Sequence, residues 1–237
     1  MNSESASGIL YMIPLPVADD VIDTLSPAVA AHTERITHYF VENVRTARRF
    51  LRRLHATLVI DSITFSLIDK HHGPDVALLR TWLVEGKEVG VMSEAGCPGI
   101  ADPGSILVSE AHKVGSRVIP LSGPSSLLLA LMASGLNGQS FAFNGYLPVK
   151  EPARGKALKD YEDRSAKESQ TQIFIETPYR NNHMLQDFIR HLRPATRLCI
   201  AMDVTGPGEK IATHTVAEWK KLSVSLEKTP AVFLFLV

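Results

Sequence analysis

Only two cysteines occur in 237 residues, Cys97 and Cys199, and neither stands in a metal-ligand spacing. That scarcity excludes a disulfide framework and a cysteine-rich zinc site, and it points to a reducing compartment. Long apolar runs are missing as well. The longest mostly apolar stretch, residues 126–136, falls far short of the ~20 residues that span a bilayer, so no membrane partner is expected. No basic segment precedes the first apolar stretch, which Pro14 and Pro16 interrupt. The expectation is therefore no secretory signal and a cytoplasmic location. A net charge of one sign is absent too: Lys+Arg and Asp+Glu number 25 each, so the formal charge is zero. That excludes a nucleic-acid binder held by its bulk field and leaves room for a local basic patch. None of the nine histidines forms a His-x-x-x-His pair. His71-His72, before Gly73-Pro74, reads as a polar loop or a substrate contact, and no metal is expected.

What is present is an ordinary globular proportion, 45% hydrophobic and 21% charged, which excludes a disordered chain. Residues 9–13 read as a strand halted by Pro14, 42–54 as a helix, 58–61 as a strand and 75–85 as a helix closed by Gly86. Residues 88–92 form a short apolar strand, 105–114 a helix and 117–121 a strand. An apolar helix then runs to Ser134. Strand, loop and helix in repetition are the pattern of a parallel sheet. Beyond Phe141, strands are expected at 141–143, 172–176, 197–202 and 231–237, and helices near 153–166 and 180–192. The charged stretch 148–169 reads as a solvated helix or loop. The fold class is α/β, with an N-terminal lobe over 1–122 and a C-terminal lobe over 123–237.

The loop Ser93-Glu-Ala-Gly-Cys-Pro-Gly-Ile-Ala-Asp-Pro-Gly104 is the most informative stretch. It follows a buried-looking strand and precedes a helix, the place where parallel sheets bind ligands. It lacks the Gly-Lys-Ser/Thr of a P-loop and the G-x-G-x-x-G fingerprint. No Gly-x-Ser-x-Gly elbow occurs elsewhere either. With carboxylates and no cation, it suits a cationic or zwitterionic ligand better than a phosphate. Asp102-Pro103 reads foremost as a helix cap with Pro at the first turn. Gly123-Pro124 and Thr177-Pro178 repeat that punctuation. If all three strands are parallel, the three turns line one edge.

Arg45, Arg48, Arg49, Arg52 and Arg53 share one helix face at offsets 0, 3, 4, 7 and 8. Val44, Ala47, Leu51 and Leu54 supply the other face. The arginines suit a phosphate-backbone track. A solvated face, or pairing with acidic groups of another subunit, is the competing reading.

Residues 89–107, Val-Gly-Val-Met-Ser-Glu-Ala-Gly-Cys-Pro-Gly-Ile-Ala-Asp-Pro-Gly-Ser-Ile-Leu, strongly resemble the Ser-Asp-Ala-Gly-Thr-Pro-Gly-Ile-Ser-Asp-Pro-Gly signature of the tetrapyrrole methylase superfamily. Residues 118–126, 143–150 and 173–180 resemble, in order, three further segments of its ribosomal small-subunit RNA cytidine 2′-O-methyltransferase branch. The resemblance implies two α/β lobes with an S-adenosyl-L-methionine cleft between them, and a homodimer. It implies cofactor contacts at Pro16, Gly96, Cys97, Pro98, Ile100, Ser125, Ser126, Glu176, Ala201 and Pro230. Segments 17–20 and 70–73 depart from the branch, and Asn43 stands where the branch has Asp. The function implied is methylation of ribosomal RNA at a ribose 2′-hydroxyl, with the five arginines as RNA contacts. A methylase of a tetrapyrrole or other small molecule, and a non-catalytic cofactor-binding dimer, are the alternatives. Glu42, Glu94, Asp102 and His71 are candidate bases, and none is singled out.

Overall fold

The computed structural model describes residues 8–19, 21–69, 71–226 and 228–237. Asp20 and Lys70, in the two departing segments, lie outside the described residues. The chain divides into two compact units, 1–125 and 126–237.

The first unit runs β1 (Ile9–Met12), α1 (Pro27–Thr33), β2 (His38–Val41), α2 (Val44–Leu54), β3 (Thr64–Leu67), α3 (Val76–Val84), β4 (Glu88–Met92), α4 (Gly104–Lys113) and β5 (Arg117–Pro120). The five strands form a parallel sheet in the order β3-β2-β4-β1-β5. α1 and α2 cover one face, through Val29, Ala47, Phe50 and Leu51 packed with Tyr11, Ile13 and Tyr39. α3 and α4 cover the other, through Leu79, Trp82, Leu83, Leu107 and Ala111 packed with Leu10, Met12 and Val91. Alternation along β1 thus divides its side chains between two cores. Gly90 at the centre of β4 makes room for the Tyr39 ring, which would lie 2.6 Å from a Cβ placed there.

Two expectations change here. Residues 58–61 are not a strand: Ile60–Ser62 is a 3₁₀ turn and the strand is Thr64–Leu67. Leu58-Val59-Ile60 is the more apolar run, but β3 is a largely solvent-facing edge strand and carries little hydrophobic signal. α1 and β2 are additions to the expected elements, although Ser26 caps α1 and Pro27 opens it.

The second unit runs α5 (Ser126–Ser134), β6 (Phe141–Phe143), α6 (Ala153–Glu168), β7 (Thr171–Glu176), α7 (Asn181–His191), β8 (Arg197–Met202), β9 (Lys210–Thr215), α8 (Val216–Trp219) and β10 (Ala231–Leu236). Its sheet has the order β6-β7-β10-β8-β9. Only β6 and β7 pair in parallel; the other three pairs are antiparallel. α5 packs on one face over Cys199, Ala201, Val232 and Leu234. Leu158 of α6 and Phe188 of α7 pack on the other with Phe174, Phe233 and Phe235. The charged stretch read as a solvated helix or loop is therefore a helix with a buried apolar side. β9 has no hydrophobic signature, because Lys-Ile-Ala-Thr-His-Thr contains no apolar run.

Candidate functional site

In the first unit the connection after β1 leads past β4 to β2, and the connection after β4 leads past β1 to β5. The two chains leave for opposite faces of the sheet, as the packing of α1 and α4 shows. Between the carboxyl ends of β1 and β4 this opens a crevice of the kind where α/β sheets bind ligands. Leu15 and Gly96 bridge the two loops there: each N–H donates to the other's carbonyl, at 2.9 and 3.1 Å.

The Gly-rich loop turns through three residues with positive φ, Gly96 at 67°, Gly99 at 84° and Ala101 at 64°. A Cβ on Gly96 would lie 3.7 Å from the Pro124 carbonyl and 3.9 Å from Val17. The three carboxyl-end loops thus enclose a cradle that a branched side chain would fill. Cys97 Sγ donates to the Pro124 carbonyl at 3.3 Å. Burial, and then neighbouring Asp102, push the Cys97 thiol above its ordinary pKa, so it remains a donor. Pro98 is buried, while Ile100 is exposed. Gly123 packs on the Pro14 ring so closely that a Cβ there would lie 2.3 Å from it.

Asp102 Oδ1 accepts from Gly99 N at 2.8 Å and Gly104 N at 2.7 Å. Burial raises its carboxyl above the usual value, against the pull of those two amides. It shapes the loop by tying Gly99 to Gly104 at the start of α4; the cap position itself is Pro103, without a side-chain cap bond, so the expected cap at Asp102 with Pro in the first turn is shifted by one residue. His71 lies beyond the carboxyl end of β3, in the same parallel sheet as β4. It sits in a turn after β3, where Asp69 Oδ1 accepts from the backbone N–H of His71 and His72 at 2.7 and 2.8 Å.

α2 presents the arginines. Asn43 caps it, its Oδ1 accepting from Arg45 N and Thr46 N at 3.0 and 3.2 Å. Arg48 is ion-paired with Asp61, and Arg49 lies 3.8 Å from Asp19 with both side chains exposed. Arg45, Arg48, Arg49 and Arg52 line an open groove. A second hollow holds Arg49 and Arg53 together with Pro16 and Glu94. The arginine face and the Gly-rich loop therefore share a wall, which sequence spacing did not reveal. Glu42 and Glu94 also meet: Glu94 N donates to Glu42 Oε2 at 3.0 Å.

The third Pro-started turn belongs to the other sheet. Thr177-Pro178 follows β7 of the second sheet, so the expectation that all three turns line one edge fails. Within the second unit, Glu176 and Pro230 fall together at one sheet edge. Ala231 pairs with Glu176 and with Met202, and Asp203 N donates to the Pro230 carbonyl at 3.0 Å. Glu176 Oε1 accepts from Thr177 N at 2.7 Å, and its Oε2 lies 3.1 Å from Arg180. Ala201 is fully buried in the core beneath α5, between Val232 and Ile211 of the two neighbouring strands. Ser125 and Ser126 are half-buried at the end of the first unit and the start of α5. The sequence reading began this helix at residue 42 and so missed Asn43 as its cap, although an Asn just before a helical run is a cap signal.

A family model described as Tetrapyrrole (Corrin/Porphyrin) Methylases matches residues 21–220. The chain is similar to the ribosomal RNA small subunit methyltransferase I of Vibrio cholerae, with 34% identity over 212 residues, 89% of this chain and 69% of that protein. It is similar to the protein of the same name from Xylella fastidiosa, with 32% identity across 90% of this chain and 74% of that one. Among solved structures it resembles diphthine synthase, with TM-score 0.69 at 13% identity over 97% and 90% of the two chains. It also resembles uroporphyrin-III C-methyltransferase from Thermus thermophilus complexed with S-adenyl homocysteine, with TM-score 0.57 at 15% identity over 97% of each chain. At such identities the structural likeness speaks to the fold, while the family match and the curated relatives speak to descent. This chain belongs to the tetrapyrrole (corrin/porphyrin) methylase family.

Proposed function

We propose that the protein is an S-adenosyl-L-methionine-dependent methyltransferase acting on small-subunit ribosomal RNA, at a ribose 2′-hydroxyl. Its curated relatives carry that RNA in their name. The single observation that carries the reading in this chain is the hollow where Arg49 and Arg53 share a wall with Pro16 and Glu94. Guanidiniums of the kind that suits phosphate stand next to the loop proposed to hold the cofactor, within one unit.

Pro16, Gly96, Cys97, Pro98, Ile100 and Ser125 would hold the cofactor on the first unit. Ser126, Glu176, Ala201 and Pro230 are proposed from the family motif. When bound, S-adenosylmethionine supplies an electrophilic methyl on a sulfonium. The loop's main chain orients the ligand, and Arg45, Arg48, Arg49, Arg52 and Arg53 hold the acceptor strand by its phosphates. Alignment of donor and acceptor contributes roughly 7–11 kcal/mol toward the barrier. The acceptor hydroxyl would have to give up its proton. Glu42, Glu94 and Asp102 are the carboxylates near the loop proposed as candidates to receive it, each already holding a hydrogen bond on one oxygen. A cytoplasmic homodimer belongs to the same proposal. Exposed Leu128 and Met132 on α5 support the dimer, and light scattering tests it.

The experiment is transfer of labelled methyl from the cofactor to unmodified small-subunit RNA and, in parallel, to tetrapyrroles and other small metabolites. Label in RNA, on ribose, is the expected result. Label only in small molecules would move the reading to a small-molecule methylase. No turnover with either class would leave a cofactor-binding dimer.

A further inference from the structure

One side chain joins the head of the Gly-rich loop to the head of the arginine helix. Asn43 Oδ1 caps α2 at Arg45 N and Thr46 N. The same amide's Nδ2 donates to Glu94 Oε1 at 3.1 Å. Reversing the amide would set its NH2 against two N–H donors and its oxygen against a carboxylate, so the network fixes its orientation. The next contact in from the same segment repeats the tie, because Glu42 accepts the backbone N–H of Glu94. Glu94 is thus held at both main chain and carboxylate by two consecutive residues, 42 and 43. Its side chain walls the hollow that also contains Pro16, Arg49 and Arg53.

Capping alone does not demand asparagine. Aspartate caps a helix equally well, but at position 43 it would face Glu94 with a second negative oxygen. Relative to the branch's aspartate, what asparagine adds in this chain is the donation to Glu94. We propose that Asn43 is a positioning residue for methyl transfer: it registers the arginine face against the Gly-rich loop, so that RNA on the arginines and cofactor on the loop bind cooperatively. The inference rests on the function proposed above and adds a coupling between the two ligands, which must be reciprocal.

The test is the affinity for S-adenosylhomocysteine with and without unmodified small-subunit RNA, in wild type, Asn43→Asp, and the double variant Asn43→Asp with Glu94→Gln. Wild type is expected to bind the cofactor product more tightly when RNA is present. Asn43→Asp keeps the cap and hence the melting temperature, but removes the donor and adds a like charge. The enhancement by RNA should fall by about tenfold, within the range of interaction energies for contacting residues. In the double variant the amide introduced at position 94 donates to the carboxylate introduced at position 43, which reverses the polarity of the bond and should restore the enhancement. A merely structural role would not produce that rescue. Undiminished coupling in Asn43→Asp, no rescue in the double variant, or no coupling in wild type overturns the proposal while the methyltransferase reading stands. Failure of wild type to bind either ligand overturns both.

Discussion

The two ends of the first sheet are built from the same five strands and are spent differently. At the amino end, polar groups are tied to one another. Tyr11 Oη donates to Glu88 Oε1 at 2.8 Å, and Arg35 donates to Glu88 Oε2 at 2.7 Å and to Tyr11 Oη at 2.8 Å. The Arg35 guanidinium also lies over the Tyr11 ring, 5.5 Å from its centre. At the carboxyl end, the Gly-rich loop holds three positive-φ residues, and Asp102 is half-buried at a cost to its charged form. One end saturates its groups and gains stability. The other bends through two glycines and one strained residue, Ala101, around a cradle, the pattern expected where a ligand binds. The account therefore predicts that damage to the two ends separates into loss of stability and loss of binding.

The largest effect should come from Gly96→Val. A β-branched residue at φ 67° carries strain of ~1–2 kcal/mol, and its side chain fills the cradle. Calorimetry at about 100 μM protein should show no cofactor heat, while the variant still melts cooperatively, a few degrees low. Retained cofactor binding would take the cradle out of the site.

Next come the arginines. Arg48 and Arg49 are ion-paired, with Asp61 and Asp19. Arg45 and Arg52 make no ion pair among the described residues. Replacing Arg45 and Arg52 by Gln should lower RNA affinity and flatten its salt dependence by roughly 0.9 unit per lost phosphate contact. Replacing Arg48 and Arg49 should do so less. Equal RNA binding in both pairs and in wild type would make the stripe a solvated face.

A smaller effect is expected at the amino end. Arg35→Ala should cost about 1 kcal/mol, since the Arg35–Glu88 pair is partly exposed, and lower Tm by roughly 2–4 °C. Cofactor affinity should not change. Burial favours protonated Glu88, but the bonds from Arg35 and Tyr11 outweigh it and hold the carboxyl below its ordinary 4.5. A lowered native pKa means this contribution is present above 4.5 and is lost as pH falls through that range. Glu88→Gln should lack that acid dependence in unfolding scans.

The smallest effect is at Asp102. Asp102→Asn keeps an oxygen for Gly99 N and Gly104 N and removes a charge that burial disfavours. At neutral pH it should melt at or slightly above wild type and keep methyl transfer. Asp102→Ala leaves two N–H groups unmet and should cost about 1–3 kcal/mol. Loss of turnover in a stable Asp102→Asn variant would restore Asp102 as a base.

The sequence disclosed the carboxyl end far better than the rest. Glycine and proline at 93–104 and 123–124 mark sharp backbone turns, and those constraints are local. The arginine face was equally plain, being a matter of helical period. Its contact with the Gly-rich loop was hidden, because it depends on Asn43 meeting Glu94 across 51 positions. The second sheet was only half legible. Its buried strands β7, β8 and β10 are apolar runs, whereas edge strand β9, Lys-Ile-Ala-Thr-His-Thr, is mostly polar and half-buried. The antiparallel pairing that takes Thr177-Pro178 away from the first sheet is set by tertiary contacts and leaves no local trace.

The most direct test of the contrast between the two ends is hydrogen exchange with and without S-adenosylhomocysteine. Slowed exchange is predicted in residues 13–16, 93–104 and 121–126, with the amides near Tyr11, Arg35 and Glu88 unchanged. Slowing at the amino end instead, or no slowing in the Gly-rich loop under saturating ligand, would contradict the assignment of that loop as the cofactor site.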